Sequence, residues 1–295
     1  MSLADSLKDW QPGVAEMSRR VDPWPAAAFA GLIGAPEPPL KDGDPLPPMW
    51  HWFTLLEHPS TAEIGIDGHP GQGQFLPPVP GRRRMFAGGR LAVIAPIPVG
   101  SLLHSRSQVA NIALKSGRSG EMAFVTIRTE LSADGHAVGV EEQDIVYRSE
   151  PEGTSKRVLA RPEAGHPEPE GEWRHEIATD PVLLFRFSAL TYNGHRIHYD
   201  LPYATEAEGY PDLVIHGPLL ALLALDLPRV HAPERTVQSF DYRLIRPAFA
   251  PATVVAAATV AKEAEGAQDP EGTSLAIAVS AAGQQPSLTA RAVLQ

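Results

Sequence analysis

The chain is 295 residues long, 43% hydrophobic and 20% charged, a composition that supports a sizeable core and about two domains. With 25 basic and 35 acidic residues the formal net charge is −10, which argues against a general nucleic-acid binder because phosphate contacts need a positive field. Cysteine is absent, so disulfides, thiolate metal sites and thiol nucleophiles are excluded, and a cytoplasmic location without membrane contact is expected: no export signal is visible and the apolar runs are shorter than the roughly 20 residues of a membrane span.

Taken in chain order, residues 2–20 predict a short polar helix and residues 21–48 a proline-punctuated loop. The 30 prolines of the chain are about twice the usual share, and many cluster between Pro23 and Pro80. Pro48–Glu57 predicts a helix opened by proline. Residues 64–90 form a Gly/Pro-rich loop that carries Gly68-His-Pro-Gly-Gln-Gly and the basic run Arg82, Arg83 and Arg84. Strands rich in Val and Ile follow at Arg90–Ile97, Ser101–Leu114, Glu121–Leu131 and Gly139–Tyr147. The polar stretch 149–173 predicts a linker.

In the second half, Phe185–Thr191 is ambiguous between strand and helix, Tyr192–Asp200 is a polar loop and Pro202–Glu208 a short helix. Pro218–Asp226 is an almost wholly apolar helix ended by Pro228. Strands are predicted at Gln238–Ile245, Thr253–Lys262, Leu275–Ala281 and Leu288–Leu294. The halves share a faint repeat: the segment from Arg90 matches that from Asp241, and Pro96 matches Pro247 at an offset of 151. A helix apolar on every side must be buried, and an antiparallel sheet curved around it meets that demand, so an α+β architecture made of two such units is expected.

One window is dense in chemistry, Phe187-Ser-Ala-Leu-Thr-Tyr-Asn-Gly-His-Arg-Ile-His-Tyr-Asp-Leu-Pro-Tyr-Ala204, with His216-Gly217-Pro218 beginning 18 residues after His198. Imidazole is suited to proton transfer near neutral pH. A glycine at a helix N-terminus offers a backbone N–H to a developing oxyanion. Arg196 is either a surface arginine or a bidentate clamp for a second substrate carboxylate. Asn193 is either a turn cap or a group that positions water. His195 is either solvated or a proton relay, and Asp200 either a helix N-cap or a site acid. His195, His198, Asp200 and His216 make a conceivable metal set, but His-Glu-x-x-His is missing and no metal is expected. The glycine loop lacks the residues of a phosphate loop, and no Gly-x-Ser-x-Gly elbow occurs.

This window resembles the MaoC-type hot-dog hydratases, in which Ser-Gly-Asp-x-Asn-Pro-Ile-His-x-Asp precedes a His-Gly pair at the start of the central helix. The resemblance covers residues 180–295 best and implies a double hot-dog fold. In it, 1–150 is a degenerate dehydratase-like unit, with Leu46-Pro-Pro-Met49 where the His-Gly pair would stand; 151–173 is a linker and 174–295 the catalytic unit. Asn193, where the family has an aspartate, and the version Asn-x-His-Arg-Ile-His-Tyr-Asp are similar to the mesaconyl- and itaconyl-CoA hydratases and the type 2 hydroxyacyl-thioester dehydratases. The resemblance implies an enoyl-CoA hydratase with CoA only as part of the substrate and no other cofactor. His198 is then the base, Asn193 and His195 position water or relay protons, and Gly217 is the oxyanion donor. Arg196, Asp200, His216, Tyr192 and Arg84 are candidate substrate contacts. A longer-chain dehydratase, a thioesterase and a non-catalytic acyl-thioester binder are the alternatives, and a homodimer is compatible with all of them.

Overall fold

The computed structural model describes residues 5, 7–34, 40–70, 82–117, 120–149, 158–261 and 273–295. The first half runs through β1 (Ala15–Arg20), α1 (Pro23–Leu32), β2 (Pro45–Leu46), β3 (Arg82–Val93), β4 (Ile97–Pro98), β5 (Leu102–Gly117), β6 (Gly120–Ala133) and β7 (His136–Ser149). The second half holds β8 (Trp173–Thr179), α2 (Pro181–Leu190), α3 (Gly217–His231), β9 (Val237–Leu244), β10 (Ala252–Ala261), β11 (Thr273–Ala281) and β12 (Leu288–Leu294).

Ten strands form one antiparallel sheet in the order β1-β5-β6-β7-β3-β9-β12-β11-β10-β8. From the centre outward, β3-β7-β6-β5-β1 repeats as β9-β12-β11-β10-β8, and the halves join where β3 pairs with β9. That seam runs from Gly88↔Arg243 to Ala92↔Ser239 and is centred on Arg90↔Asp241, the residues that the 151-residue offset superposes. A pseudo-twofold axis through this pair accounts for the repeat.

Each half opens alike. Asp22 and Asp180 cap α1 and α2, accepting from Trp24 N and Leu183 N at 2.7 Å, and a proline follows each cap. Carboxylates suit this position because the first turn has unpaired N–H groups, and proline fits the turn that follows. The sheet wraps α3, whose residues Leu219 to Leu225 are all buried. Each buried leucine contributes roughly 2 kcal/mol of transfer free energy, which makes α3 the centre of the core.

Several sequence expectations need correction. The polar helix over 2–20 is replaced in its last third by β1, which lies antiparallel on β5. The loop over 21–48 contains α1, because its prolines sit at the first turn rather than inside the helix. The helix over Pro48–Glu57 is only a 3-10 turn at Trp50–Phe53, and Met49 before it has φ +67°. The strand expected from Arg90 begins at Arg82. Pro228 does not end α3: the helix continues to His231, with Asp226 and Arg229 paired across its last turns. Phe185–Thr191 lies mostly within α2. In the expected linker, the described residues 158–172 carry no strand or helix and are tied to the second half, as in Leu159 N donating to Gly209 O at 2.8 Å. Residues 71–81, with the end of the glycine loop, lie outside the described residues. Among the described residues no helix is long and apolar enough to cross a membrane.

Candidate active site

A cleft of about 1330 Å³ lies at the N-terminal end of α3 and is lined from both halves. From the second half come Asn193, His195, His198 and Gly217; from the first come His69 and Phe86.

His198 ends a 3-10 turn, Arg196–His198, that is tied to the strand-like segment before α3 by Val214 N donating to Ile197 O at 2.9 Å. The His198 Nδ1 lies 2.7 Å from Val214 O. A carbonyl can only accept, so Nδ1 carries the proton and Nε2 keeps its lone pair. Burial pushes the His198 pKa down to about 4 against the favourable carbonyl bond, and His69 lowers it further. The ring is therefore neutral at pH 7 and can accept a proton.

His216 caps α3 and stacks on His198 with ring centroids 3.6 Å apart and planes 18° from parallel. Its Nε2 bonds Ser188 Oγ at 2.9 Å, its Nδ1 has no hydrogen-bond partner among the described residues, and burial, then His198 and His195, keeps it neutral. His216 supports the His198 ring from behind and does not line the cleft. His195 stands edge-on to His198 at 5.4 Å and is pushed down to about 2 by burial and then by His69 and His198.

Gly217 begins α3, where N–H groups lack intrahelical acceptors. A Cβ there would lie 2.9 Å from Leu244 Cδ1 and 3.3 Å from Phe86 Cδ1. Glycine keeps the helix start open to the cleft. The Asn193 Oδ1 accepts from His195 N at 3.0 Å, as a turn cap does, leaving its amide nitrogen to serve the cleft. Tyr192 lines the cleft from an exposed position with φ +50°. Arg84, half-buried on β3, also lines it and has no acidic partner among the described residues. Side chains of Arg82 and Arg83 lie outside the described set.

Arg196 and Asp200 depart from expectation. Arg196 donates from Nε and Nη2 to Asp200 Oδ2 at 2.9 and 2.7 Å, from Nη1 to Ile66 O at 3.1 Å, and covers the Tyr203 ring. Asp200 also accepts from Tyr203 N at 3.1 Å, just ahead of the π-helical turn Tyr203–Ala207. Neither residue lines the cleft. Their donors and acceptors hold the site loop in shape, which replaces the carboxylate clamp expected at Arg196 and the substrate contact expected at Asp200.

Asp67 and His69 were not singled out from sequence. The Asp67 Oδ2 lies 3.2 Å from His69 Nδ1, and His69 N donates to Oδ1 at 3.0 Å. Burial alone would raise the Asp67 pKa, but these two bonds and the nearby His69 charge hold it at about 2. His69 lies 4.0 Å from the His195 ring, centroid to centroid. Asp67, His69 and His195 each bring a ligand-type atom within 4.8 Å of the others, yet the carboxylate is already bonded to the His69 ring. The group is a hydrogen-bonded pair beside a third ring. The glycine-flanked His69 was the available signal, but no local pattern shows that its loop folds onto residues 193–196.

A family model for hydroxyacyl-thioester dehydratase type 2 matches residues 49–250, across both halves and the cleft. The chain belongs to the hydroxyacyl-thioester dehydratase type 2 family. It is 41% identical over 247 residues to a mesaconyl-C(4)-CoA hydratase of Chloroflexus aurantiacus, covering 83% of this chain and 86% of that protein. Among solved structures, a MaoC-like dehydratase matches with a TM-score of 0.70 and 15% identity, over 98% of this chain and 99% of that one. A Mycobacterium tuberculosis protein described as a double hotdog fold matches with a TM-score of 0.61 and 14% identity, over 98% and 97% of the two chains. The fold is a double hot-dog, and membership in the type 2 dehydratase family makes the chain a hydro-lyase.

Proposed function

We propose that the chain adds water reversibly across the double bond of a short branched or dicarboxylic enoyl-CoA of the mesaconyl or itaconyl type. The observation that carries this reading is His198: neutral, tied through Nδ1 to Val214 O, and lining the cleft at the start of α3. In hydration, its Nε2 takes a proton from water as the oxygen attacks the β-carbon. The double-bond electrons move toward the thioester carbonyl. The first turn of α3, open at Gly217, stabilises the oxygen that gains charge. The Asn193 amide nitrogen positions the water.

Arg84 lines the same cleft as His195, and its charge is felt there. It is the group that pairs with the distal carboxylate of a dicarboxylic acyl chain. Arg148, Arg243 and Arg246 also line the cleft and suit the phosphates of CoA, against the overall charge of −10. CoA enters as part of the substrate, and the reading requires no bound cofactor. The similarity to the C. aurantiacus hydratase supports the acyl preference.

The test is a panel of enoyl-CoA thioesters with and without a second carboxylate, followed by loss of conjugation absorbance and by a thiol reagent. Faster hydration of the dicarboxylic members, with no thiol release, is expected. Thiol release marks a thioesterase, and binding of every member without turnover marks a non-catalytic binder; either result overturns the proposal.

A further inference from the structure

Hydration moves two protons: His198 takes one from the attacking water through its free lone pair, and one must reach the substrate α-carbon. The second needs a donor there. His195 and His216 are neutral and buried or nearly so, and Asn193 is not an acid. We propose that His69, held by Asp67 in the same cleft as His198, is a second catalytic residue that delivers the proton to the α-carbon. The proposal rests on the hydratase reading above.

The geometry is that of an oriented acid. Both Asp67 oxygens are bonded to His69, one to its backbone N and one to Nδ1, so the carboxylate leaves Nε2 unengaged. His69 lines the cleft while Asp67 stands behind it. The carboxylate compensates a positive charge on the ring, as an aspartate does behind a catalytic histidine. The loop that carries them is locked to the other half. Arg196 N donates to Asp67 O at 2.9 Å, and Arg196 Nη1 to Ile66 O. Gly68, at φ +88°, packs so closely that a Cβ would lie 1.8 Å from Gly194 O, a separation that excludes any side chain. Such fixed backbone contact across the seam is more than an idle surface turn requires. The charged and titratable groups around His69 are Asp67, His195, His198 and, farther off, Arg84, Arg196 and Tyr203.

The step balances. Water loses a proton to His198 Nε2 as its oxygen bonds the β-carbon. The π pair shifts toward the thioester, and the resulting enolate takes the Nε2 proton of cationic His69 at the α-carbon. His198 is left protonated and His69 neutral. One proton passing between them restores both, and His195 lies between the two rings, at 4.0 and 5.4 Å.

The experiment compares wild type, His69→Gly, His69→Gln and Asp67→Asn on whichever enoyl-CoA wild type hydrates. Expected are a loss of about 100-fold in kcat for both His69 variants with KM nearly unchanged, and partial recovery of His69→Gly by added imidazole. Asp67→Asn is expected to lose about tenfold in kcat with KM nearly unchanged, because the ring loses the carboxylate that orients it. Wild-type-like kcat in the His69 variants, or a loss carried entirely by KM, overturns the proposal. Inactivation of wild type by a chelator with recovery on adding Zn²⁺ overturns it too, since these side chains would then act through a metal. If wild type itself hydrates no enoyl-CoA, the hydratase reading fails first, a result distinct from all of these.

Discussion

The two halves fill one topological position with different chemistry. In the second half, the helix that precedes the central seam strand is α3, and its start carries His216 stacked on His198 beside an open cleft. In the first half, the same place in chain order holds the 3-10 turn Trp50–Phe53, and there His51 Nε2 bonds Glu141 Oε2 at 2.8 Å. Trp52 Nε1 and Gln143 Nε2 add bonds of 2.8 and 2.7 Å to Glu141 Oε1. Both histidines are buried. One ring is tied into a carboxylate network inside the core. The other is anchored to a carbonyl through one nitrogen and keeps the second for the cleft. Burial alone does not separate a structural histidine from a chemical one; the partner of each ring nitrogen does.

The largest contrast is in turnover. His198→Ala should lower kcat by roughly 10²- to 10⁴-fold, the usual contribution of a general base, with an unchanged circular dichroism spectrum. In the first half the effect should fall on stability instead. Glu141→Leu orphans the His51 and Trp52 donors and should cost about 3 kcal/mol in urea unfolding, with the remaining folded protein still turning over.

The next contrast is in pH dependence. His198 folds to a pKa of about 4, below the 6.5 of an exposed imidazole, so between these values the unfolded chain binds more protons than the folded one. Its contribution to stability is therefore complete above pH 6.5 and lost as pH falls toward 4, of the order of 3 kcal/mol for this group alone. Unfolding free energies from urea titrations at pH 7 and pH 5 should differ by about 2 kcal/mol of this, and His198→Gln should reduce the difference. A smaller change is expected from Gly217→Ala. The added methyl meets side chains only, the Leu244 methyls and the edge of the Phe86 ring, so the protein folds but kcat/KM falls about tenfold as the helix start closes. Smallest is Ser188→Ala, which removes the single bond on His216 and should cost about 1 kcal/mol.

The core was legible because α3 is apolar on all faces, and the duplication because Pro96 and Pro247 keep their spacing around the seam pair. His198 and Gly217 stood out because motif and helix start coincide within a short stretch. The Trp50–Phe53 turn was overestimated because proline and aromatic residues fit a helix start, while the left-handed backbone at Met49 leaves no sequence mark. For Arg196 and Asp200 the sequence left a structural and a substrate-binding reading open, and their pairing four residues apart favours the structural one. Asp67 and His69 were missed because the site is assembled by a contact between residues more than 120 apart, Arg196 to Asp67.

The protonation of His198 itself can be read by ¹⁵N NMR of histidine-labelled protein, assigned with His198→Gln. A neutral ring protonated at Nδ1 from pH 8 down to 5, taking its second proton only near pH 4, is the expected result. A ring that titrates near 6.5, or that carries its neutral proton on Nε2, would contradict the assignment of this histidine as the base that activates water.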